Sequence, residues 1–268
     1  MSIAVLMTCH NRVETTLACL RRLMPQLSPT DGVFLVDDGS MDGTGVKVKA
    51  EFSDVNVING DGTLYWARGM HLAWESAIKS GGRFDFFLWL NDDVMLNPAA
   101  ISSAIEDWRH TNDTSSVIVG ACSEDEGETV ISYGATNAWD IKIVPDGKMP
   151  QRATGWFTGN FVLIPQSACR KVGIISPDYR HARADYDYAE RLKHANIPFY
   201  VSSHYIGSCP CDFESRVKKR KLGERMRWLV EPSYYNLHDL FLFKKRHYGL
   251  IRAMLSCAHL VFIVLKGS

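Results

Sequence analysis

The stretch "FDFFLWLNDDV" (84–94) constrains this chain more than any other. Its first seven residues are apolar on nearly all sides, so a strand there must have both faces covered, as in a parallel sheet clothed by helices. The strand then ends on Asn91, Asp92 and Asp93, two adjacent anions beside an amide. Adjacent carboxylates repel. The stretch is therefore either a solvated turn, which Asn and Asp favour anyway, or a place for something cationic.

The residues before it alternate in the same sense. "IAVLMT" (3–8) reads as a buried strand, and "NRVETTLACLRRLMPQL" (11–27) as an amphipathic helix with Val13, Leu17, Leu20 and Leu23 on one face. "GVFLVDDGS" (32–40) predicts a second strand broken by a turn, and "NVI" (56–58) a short third one. "MHLAWESAIKSG" (70–81) predicts a helix closed by glycine. Alternating strand and helix give an α/β class with a mostly parallel sheet. Such sheets bind ligands beyond the carboxyl ends of their strands. Here those ends read "TCHNR" (8–12), "DDGS" (37–40) and "NDDV" (91–94), so three polar clusters are expected along one edge. Later, "SVIVGAC", "ETVISYG", "WFTGNFVLIP" (156–165) and "IPFYVSS" (197–203) are strand-like, and "DYDYAERLKHAN" (185–196) is helix-like.

With 268 residues, 46 % of them hydrophobic, the chain can bury the core of one domain with a small appendage. A net charge of zero gives no argument for nucleic acid as a partner. The charge is unevenly spread: of 30 basic and 30 acidic residues, twelve basic and three acidic ones lie from 216 onward, leaving 18 and 27 before them. An acidic body with a basic, helical tail points to an anionic surface, phospholipid above all. The seven cysteines show no paired spacing, and Cys209-Pro-Cys211 is too tight for a zinc knuckle, so reduced thiols in a cytoplasmic protein are expected. "SIAVLMT" begins as a strand, not as a secretory leader. No segment offers the roughly 20 uninterrupted apolar residues that span a bilayer. Residues 249–265 come nearest but carry Arg252 and His259.

A carboxylate cluster at a sheet's binding edge suits a hard divalent ion, whose usual companion is a diphosphate. Asp37 and Asp38 stand where a nucleoside can dock, yet "VDDGSMDGT" (36–44) read alone is a hairpin or turn more often than a nucleotide site. His10 and Arg12 read alone are a surface histidine and a helix-start residue. None of these features is specific in isolation.

In their order, however, they carry a resemblance. "TCHNR", "VDDGSMDGT", the apolar strand ending in "NDDV", "GNFVLIP" (159–165) and "ADYDYAERLKHA" (184–195) resemble the motifs of the family 2 inverting glycosyltransferases, over about residues 3–210. That resemblance implies the GT-A fold, a nucleotide-diphospho-sugar donor, and Mg²⁺ or Mn²⁺. "GDGTLYWARGMHLA" (60–73) with "LNDDV" is further similar to a bacterial branch that includes rhamnosyltransferases, which implies dTDP-rhamnose, with a UDP-linked hexose as the alternative.

Roles follow from the resemblance residue by residue. Asn91-Asp92-Asp93 takes the Asp-x-Asp position, with Asp93 on the metal and Asn91 departing from the first acid. His204 matches a position from which some relatives offer imidazole to the metal, against the plainer reading of a surface histidine. Asp38 and Asp37 hold the nucleoside. Thr8, His10, Asn11 and Arg12, with Asp61, Trp66 and Arg68, border the base and diphosphate. Asp185 matches the catalytic aspartate, while Ala184 stands where relatives have Glu. Asp187 reads as a helix-start residue favourable to the dipole. Trp156, Gly159 and Asn160 face the acceptor, Trp156 as a stacking surface and Gly159 for close backbone approach.

The expected organisation is a GT-A catalytic domain over 1–214 (a nucleotide-binding half to about 95, an acceptor half over 96–214) and a helical basic extension over 215–268. The extension either lies on an anionic membrane surface, packs onto the domain, or makes a homo-oligomer contact. The acceptor is then a growing, lipid-linked surface glycan at the inner face of the cytoplasmic membrane. Two other functions compete. A nucleotidyltransferase should carry a Gly- and Lys-rich phosphate loop near its first strand, and "MTCHNRVETT" has neither residue. A non-catalytic sugar-nucleotide binding module has no need of Asp93 together with Asp185.

Overall fold

The apolar stretch at 86–90 is a central strand of a mixed sheet, in a computed structural model that describes residues 1–181, 183–211, 222–231 and 236–266. Strands β1 (Ile3–Cys9), β2 (Gly32–Asp37), β3 (Val55–Asn59) and β4 (Phe86–Leu90) pair in parallel in the order β3-β2-β1-β4. Helices α1 (Val13–Leu23), α2 (Thr44–Glu51) and α3 (Tyr65–Lys79) connect them. Successive side chains of a strand point to opposite faces. Ile3, Val5, Met7 and Cys9 accordingly join one buried cluster with α1, and Ala4 and Leu6 join the other with α3. Every residue of β4 is buried, as its sequence required.

The second half of the sheet is less regular. After the short β5 (Met95–Leu96) and helix α4 (Ala100–His110) come β6 (Val117–Ser123), β7 (Ile131–Tyr133), β8 (Gln151–Ala153) and β9 (Phe161–Pro165). Helices α5 (Gln166–Val172) and α6 (Ala184–His194) and strand β10 (Phe199–Ser208) follow. β9 inserts antiparallel between β4 and β6. Its start therefore meets the end of β4, and the Asn91 amide donates to the Asn160 carbonyl at 2.9 Å.

The tail is helical as expected, with α7 (Leu222–Trp228), α8 (Leu237–Tyr248) and α9 (Leu250–Lys266). α8 packs on α6 through buried Phe243, and α9 folds back on α8 through Leu240, Leu260 and Val264. The expected boundary at 214–215 and the basic residues from 216 to 221 lie outside the described residues. Among the described residues no helix is long and apolar enough to cross a membrane.

Candidate active site

The three polar clusters do meet. The Asp38 amide donates to the Cys9 carbonyl, and His10 Nδ1 lies 2.5 Å from the Asp38 carbonyl oxygen. Arg12 closes the set from the other strand end, with Nη1 2.9 Å from Asp92 Oδ1 and Nη2 2.9 Å from Asp93 Oδ2. The adjacent anions after β4 are thus accommodated by a guanidinium contributed 80 residues earlier. Asp92 is 3 % exposed and also accepts from Thr16. Its pKa is pushed up to about 6 by burial, against the relief from Arg12 and with a further push from Asp93. Asp93 is more open to the cleft, its other oxygen 3.5 Å from Cys209 Sγ.

This edge opens into a cleft of about 640 Å³, of the size that small-molecule sites occupy. Of the residues singled out from sequence, Thr8, His10, Arg12, Asp38, Trp66, Asn91, Asp92, Asp93, Gly159, Asn160 and Asp185 line it. Asp38 is already braced: its oxygens accept from the Gly62 and Tyr65 amides at 2.8 Å each, shaping the loop that presents Tyr65 and Trp66. Trp66 in turn donates to Asn91 Oδ1 at 2.7 Å. Gly159 lacks a side chain because a Cβ there would collide with the Trp66 indole, so its role in folding is to admit that ring.

Six of the residues singled out from sequence are not among those lining the cleft. Asp37 does not line the cleft: the period of two along β2 turns it away from Asp38, and it accepts from the Ser40 and Gly45 amides to start α2. Asn11 is spent on the Met41 amide and His10, and Asp61 on Thr63 within its own turn. Arg68 donates to the Pro177 carbonyl, tying α3 to the loop before α6. Trp156 stacks behind Tyr186, one layer from the cleft. His204 is exposed where β10 shifts register, with Asp107 taking the Ser203 amide, and it is not among the residues lining the cleft.

Asp185 opens α6 from a strained start. Arg183, before it, holds φ 71°, a left-handed conformation that a non-glycine side chain keeps only where its surroundings impose it. Burial pushes the Asp185 pKa up to about 6, opposed by the Tyr186 amide, Arg183 and the Gly159 amide. A carboxylate so poised can take a proton near neutral pH.

The structure around α6 was not legible in advance. Asp187 is fully buried and bonds Tyr179, Arg191, Arg246 and His247. Burial alone would raise its pKa, but Arg191, His247 and Arg246 outweigh it and the net shift is downward. Asp239 of α8, also fully buried, accepts from the Arg180 and His181 amides. Helix α8 therefore clamps the loop that delivers His181, Arg183, Asp185 and Tyr186 to the cleft.

Whether a divalent ion fits can be judged from the donors. Among the described residues no group of three or more His, Cys, Asp or Glu side chains is arranged to hold one. An ion completed by diphosphate oxygens and water needs only one or two protein carboxylates, and Asp93 offers one at the cleft. The edge thus fits an ion shared with a diphosphate, not an all-protein cage.

The sequence profile described as Glycosyl transferase family 2 matches residues 4–185. No curated protein matches in sequence. Among solved structures, S. aureus TarS 1–349 superposes with a TM-score of 0.56 at 14 % identity, over 99 % of this chain and 75 % of that one. The same protein in complex with UDP-GlcNAc gives 0.58 at 14 % identity, over 96 % and 73 %. The mannosyltransferase PcManGT from Pyrobaculum calidifontis, in complex with GDP-Man and Mn²⁺, gives 0.55 at 15 % identity, over 99 % and 72 %. At these identities the likeness speaks for the fold, and the fold is GT-A.

Proposed function

This chain belongs to glycosyl transferase family 2, and from that premise we propose that it moves a sugar, with inversion, from a nucleotide-diphospho-sugar onto a glycan hydroxyl. That it is a nucleotide-sugar glycosyltransferase rests on the family. The finer reading rests on one observation: the Asp92–Asp93 edge and Asp185 line the same cleft. In this reading Asp38 and the Tyr65–Trp66 loop hold the nucleoside, and Asp93 holds Mg²⁺ or Mn²⁺ together with the diphosphate. Bound there, the ion would neutralise the departing diphosphate. Arg12, released from Asp93, remains beside that charge. Asp185 takes the proton of the acceptor hydroxyl as it attacks the anomeric carbon from the opposite face, and one positioned base suffices for that displacement.

For the donor, dTDP-rhamnose is proposed from the "GDGTLYWARGM" stretch, whose Tyr65 and Trp66 border the cleft. A UDP-linked hexose is the second reading, favoured by the likeness to a structure holding UDP-GlcNAc. A screen of dTDP-, UDP- and GDP-sugars for metal-dependent stabilisation and hydrolysis decides between them. Tight binding of UDP-hexoses with no response to dTDP or its sugars removes rhamnose.

The acceptor is proposed to be lipid-linked, with the enzyme peripheral on the inner face of the cytoplasmic membrane. What supports this is α9, whose Ile251, Met254, Leu255, Phe262 and Leu265 are exposed beside Lys245, Arg252 and Lys266. A helix of this kind lies in the interface with its basic residues at the head groups. Flotation with anionic but not neutral vesicles, weakened by salt, is the expected result. Absence of flotation at low salt, with a dimer in solution, assigns the face to a second copy instead.

A further inference from the structure

The loop before α6 is gripped from two sides, and a single peptide unit carries both grips. From α3, the Ala67 amide donates to the Arg180 carbonyl at 3.0 Å. Arg68 Nε donates to the Pro177 carbonyl at 3.1 Å, and His71 Nδ1 lies 2.7 Å from the Ile175 carbonyl oxygen. From α8, Asp239 Oδ2 accepts from the Arg180 amide at 3.2 Å and from the His181 amide at 3.1 Å. The Arg180–His181 peptide therefore bonds α3 through its carbonyl and α8 through its N–H. What it joins matters for the site. Ala67 directly follows Trp66, His181 lies just upstream of Asp185, and Trp66, His181 and Asp185 all line the cleft.

Asp239 is fully buried and does not itself line the cleft, so it acts through what it holds. Its own place is fixed, because its amide donates to Asn236 Oδ1 at 3.1 Å, the cap of α8. Its other oxygen lies 3.0 Å from His238 Nδ1. Bonds from backbone N–H groups to a carboxylate are charge-assisted and stronger than those to a neutral acceptor. Truncating Asp239 takes that acceptor from two amides at once, which costs more than the loss of an exposed bond. The Trp66 loop has separate support, since Asp38 accepts from the Gly62 and Tyr65 amides. Without Asp239 the donor side of the cleft stays in place, while the loop leading to Asp185 is freed relative to it.

We propose that Asp239 is a positioning residue: through the Arg180–His181 peptide it sets the spacing between Asp185 and the Trp66 loop. The proposal rests on the glycosyltransferase reading and adds that α8, from outside the cleft, governs the rate of transfer and not the affinity for donor. A displacement of about 1 Å between reacting groups can cost about 10²-fold in rate.

Full-length wild type, Asp239→Ala and the milder Asp239→Asn test it. Asn keeps the size of the side chain but turns an NH₂ group toward one of the two amides, so its effect should be the smaller. Calorimetry with UDP and Mn²⁺ counts the binding-competent molecules, and hydrolysis of dTDP-rhamnose and of UDP-GlcNAc is expressed per such molecule. A purely structural role lowers that count and leaves turnover per molecule unchanged. The expected result is unchanged UDP affinity with turnover per molecule down about tenfold or more in Asp239→Ala. Hydrogen exchange should quicken both at the His181 amide and across the cleft wall at the Ala67 amide. Turnover per molecule as in wild type, UDP affinity lost in step with turnover, or Ala67 exchange unchanged in both variants would each overturn the proposal. The exchange measurement needs no substrate, so it decides the role of Asp239 separately from the donor reading. A wild type that neither binds UDP nor hydrolyses either sugar nucleotide counts against that reading alone.

Discussion

On one side of the cleft, Thr8, Asp38 and Asn91 to Asp93 sit at the ends of adjacent parallel strands, each fixed by the backbone ladder next to it. On the other side, Asp185 stands on a helix whose entry loop is held by Arg68 of α3, by Asp239 of α8, and by a buried network around Asp187. The first side is scaffolded by main-chain hydrogen bonds that any apolar strand sequence would supply. The second depends on particular charged side chains far apart in the chain, several of them taken out of water. Removing one partner from such a network leaves the others buried and unpaired, which is more costly than losing an exposed pair. Substitutions should therefore divide by side, with chemistry and stability both more fragile around α6.

The largest effect is expected at Asp185, the proposed base. Asp185→Asn should reduce transfer by about 10²–10⁴-fold, with donor affinity unchanged, as turnover and calorimetry on the matched nucleotide sugar would show. Near-normal turnover removes Asp185 from that role. Next comes Asp187→Ala, which strands Arg191, Arg246 and His247 and should cost about 3–5 kcal/mol in denaturant unfolding. A loss within the range of an ordinary surface change would mean that the clamp of α8 on α6 is weaker than its contacts suggest. On the strand-end side, Gly159→Ala drives a Cβ into the Trp66 indole. About 1–3 kcal/mol of destabilisation is expected, with weaker nucleotide binding as the indole shifts from Asn91. A stability loss as large as that of Asp187→Ala would erase the contrast between the sides.

The smallest effect is a pH dependence. Asp185 must be ionised to accept a proton, and its pKa is raised to about 6, first by burial. Turnover per unit of free enzyme should then be level above that value and fall as pH drops through it, about tenfold per unit. A profile flat down to pH near 4 would point to a base in an ordinary, solvated environment.

The same division governs what could be read from the residues. β1, β2 and β4 and their polar ends were legible because each is a contiguous apolar run that stops abruptly. The parallel alternation then places those ends together. Asp37 was not separable from Asp38 by composition, and only the two-residue period along the strand sends them to different surroundings. α3 starts at Tyr65, five residues before the expected 70, because Asp38 holds the Tyr65 amide from another strand end. α2 has weak apolar periodicity and owes its first turn to Asp37. The antiparallel insertion of β9 leaves no mark in a strand that reads as apolar in either direction. His204 followed a matching position in sequence, and in the structure it sits at the register shift in β10, outside the cleft lining. The clamp of Asp239, Arg246 and His247 on α6 and its entry loop joins residues some 60 positions apart, and nothing local to either segment announces it.

The central claim is that one cleft carries a diphosphate edge and a separate base. It is tested most directly by titrating nucleoside diphosphates (UDP, GDP and dTDP, with and without Mn²⁺) into wild type, Asp93→Ala and Asp185→Asn. The account predicts metal-dependent binding of at least one diphosphate to wild type, the same affinity for Asp185→Asn, and loss of the metal-dependent part for Asp93→Ala. Unchanged affinity and metal dependence in Asp93→Ala, or binding lost equally in Asp185→Asn, would contradict it.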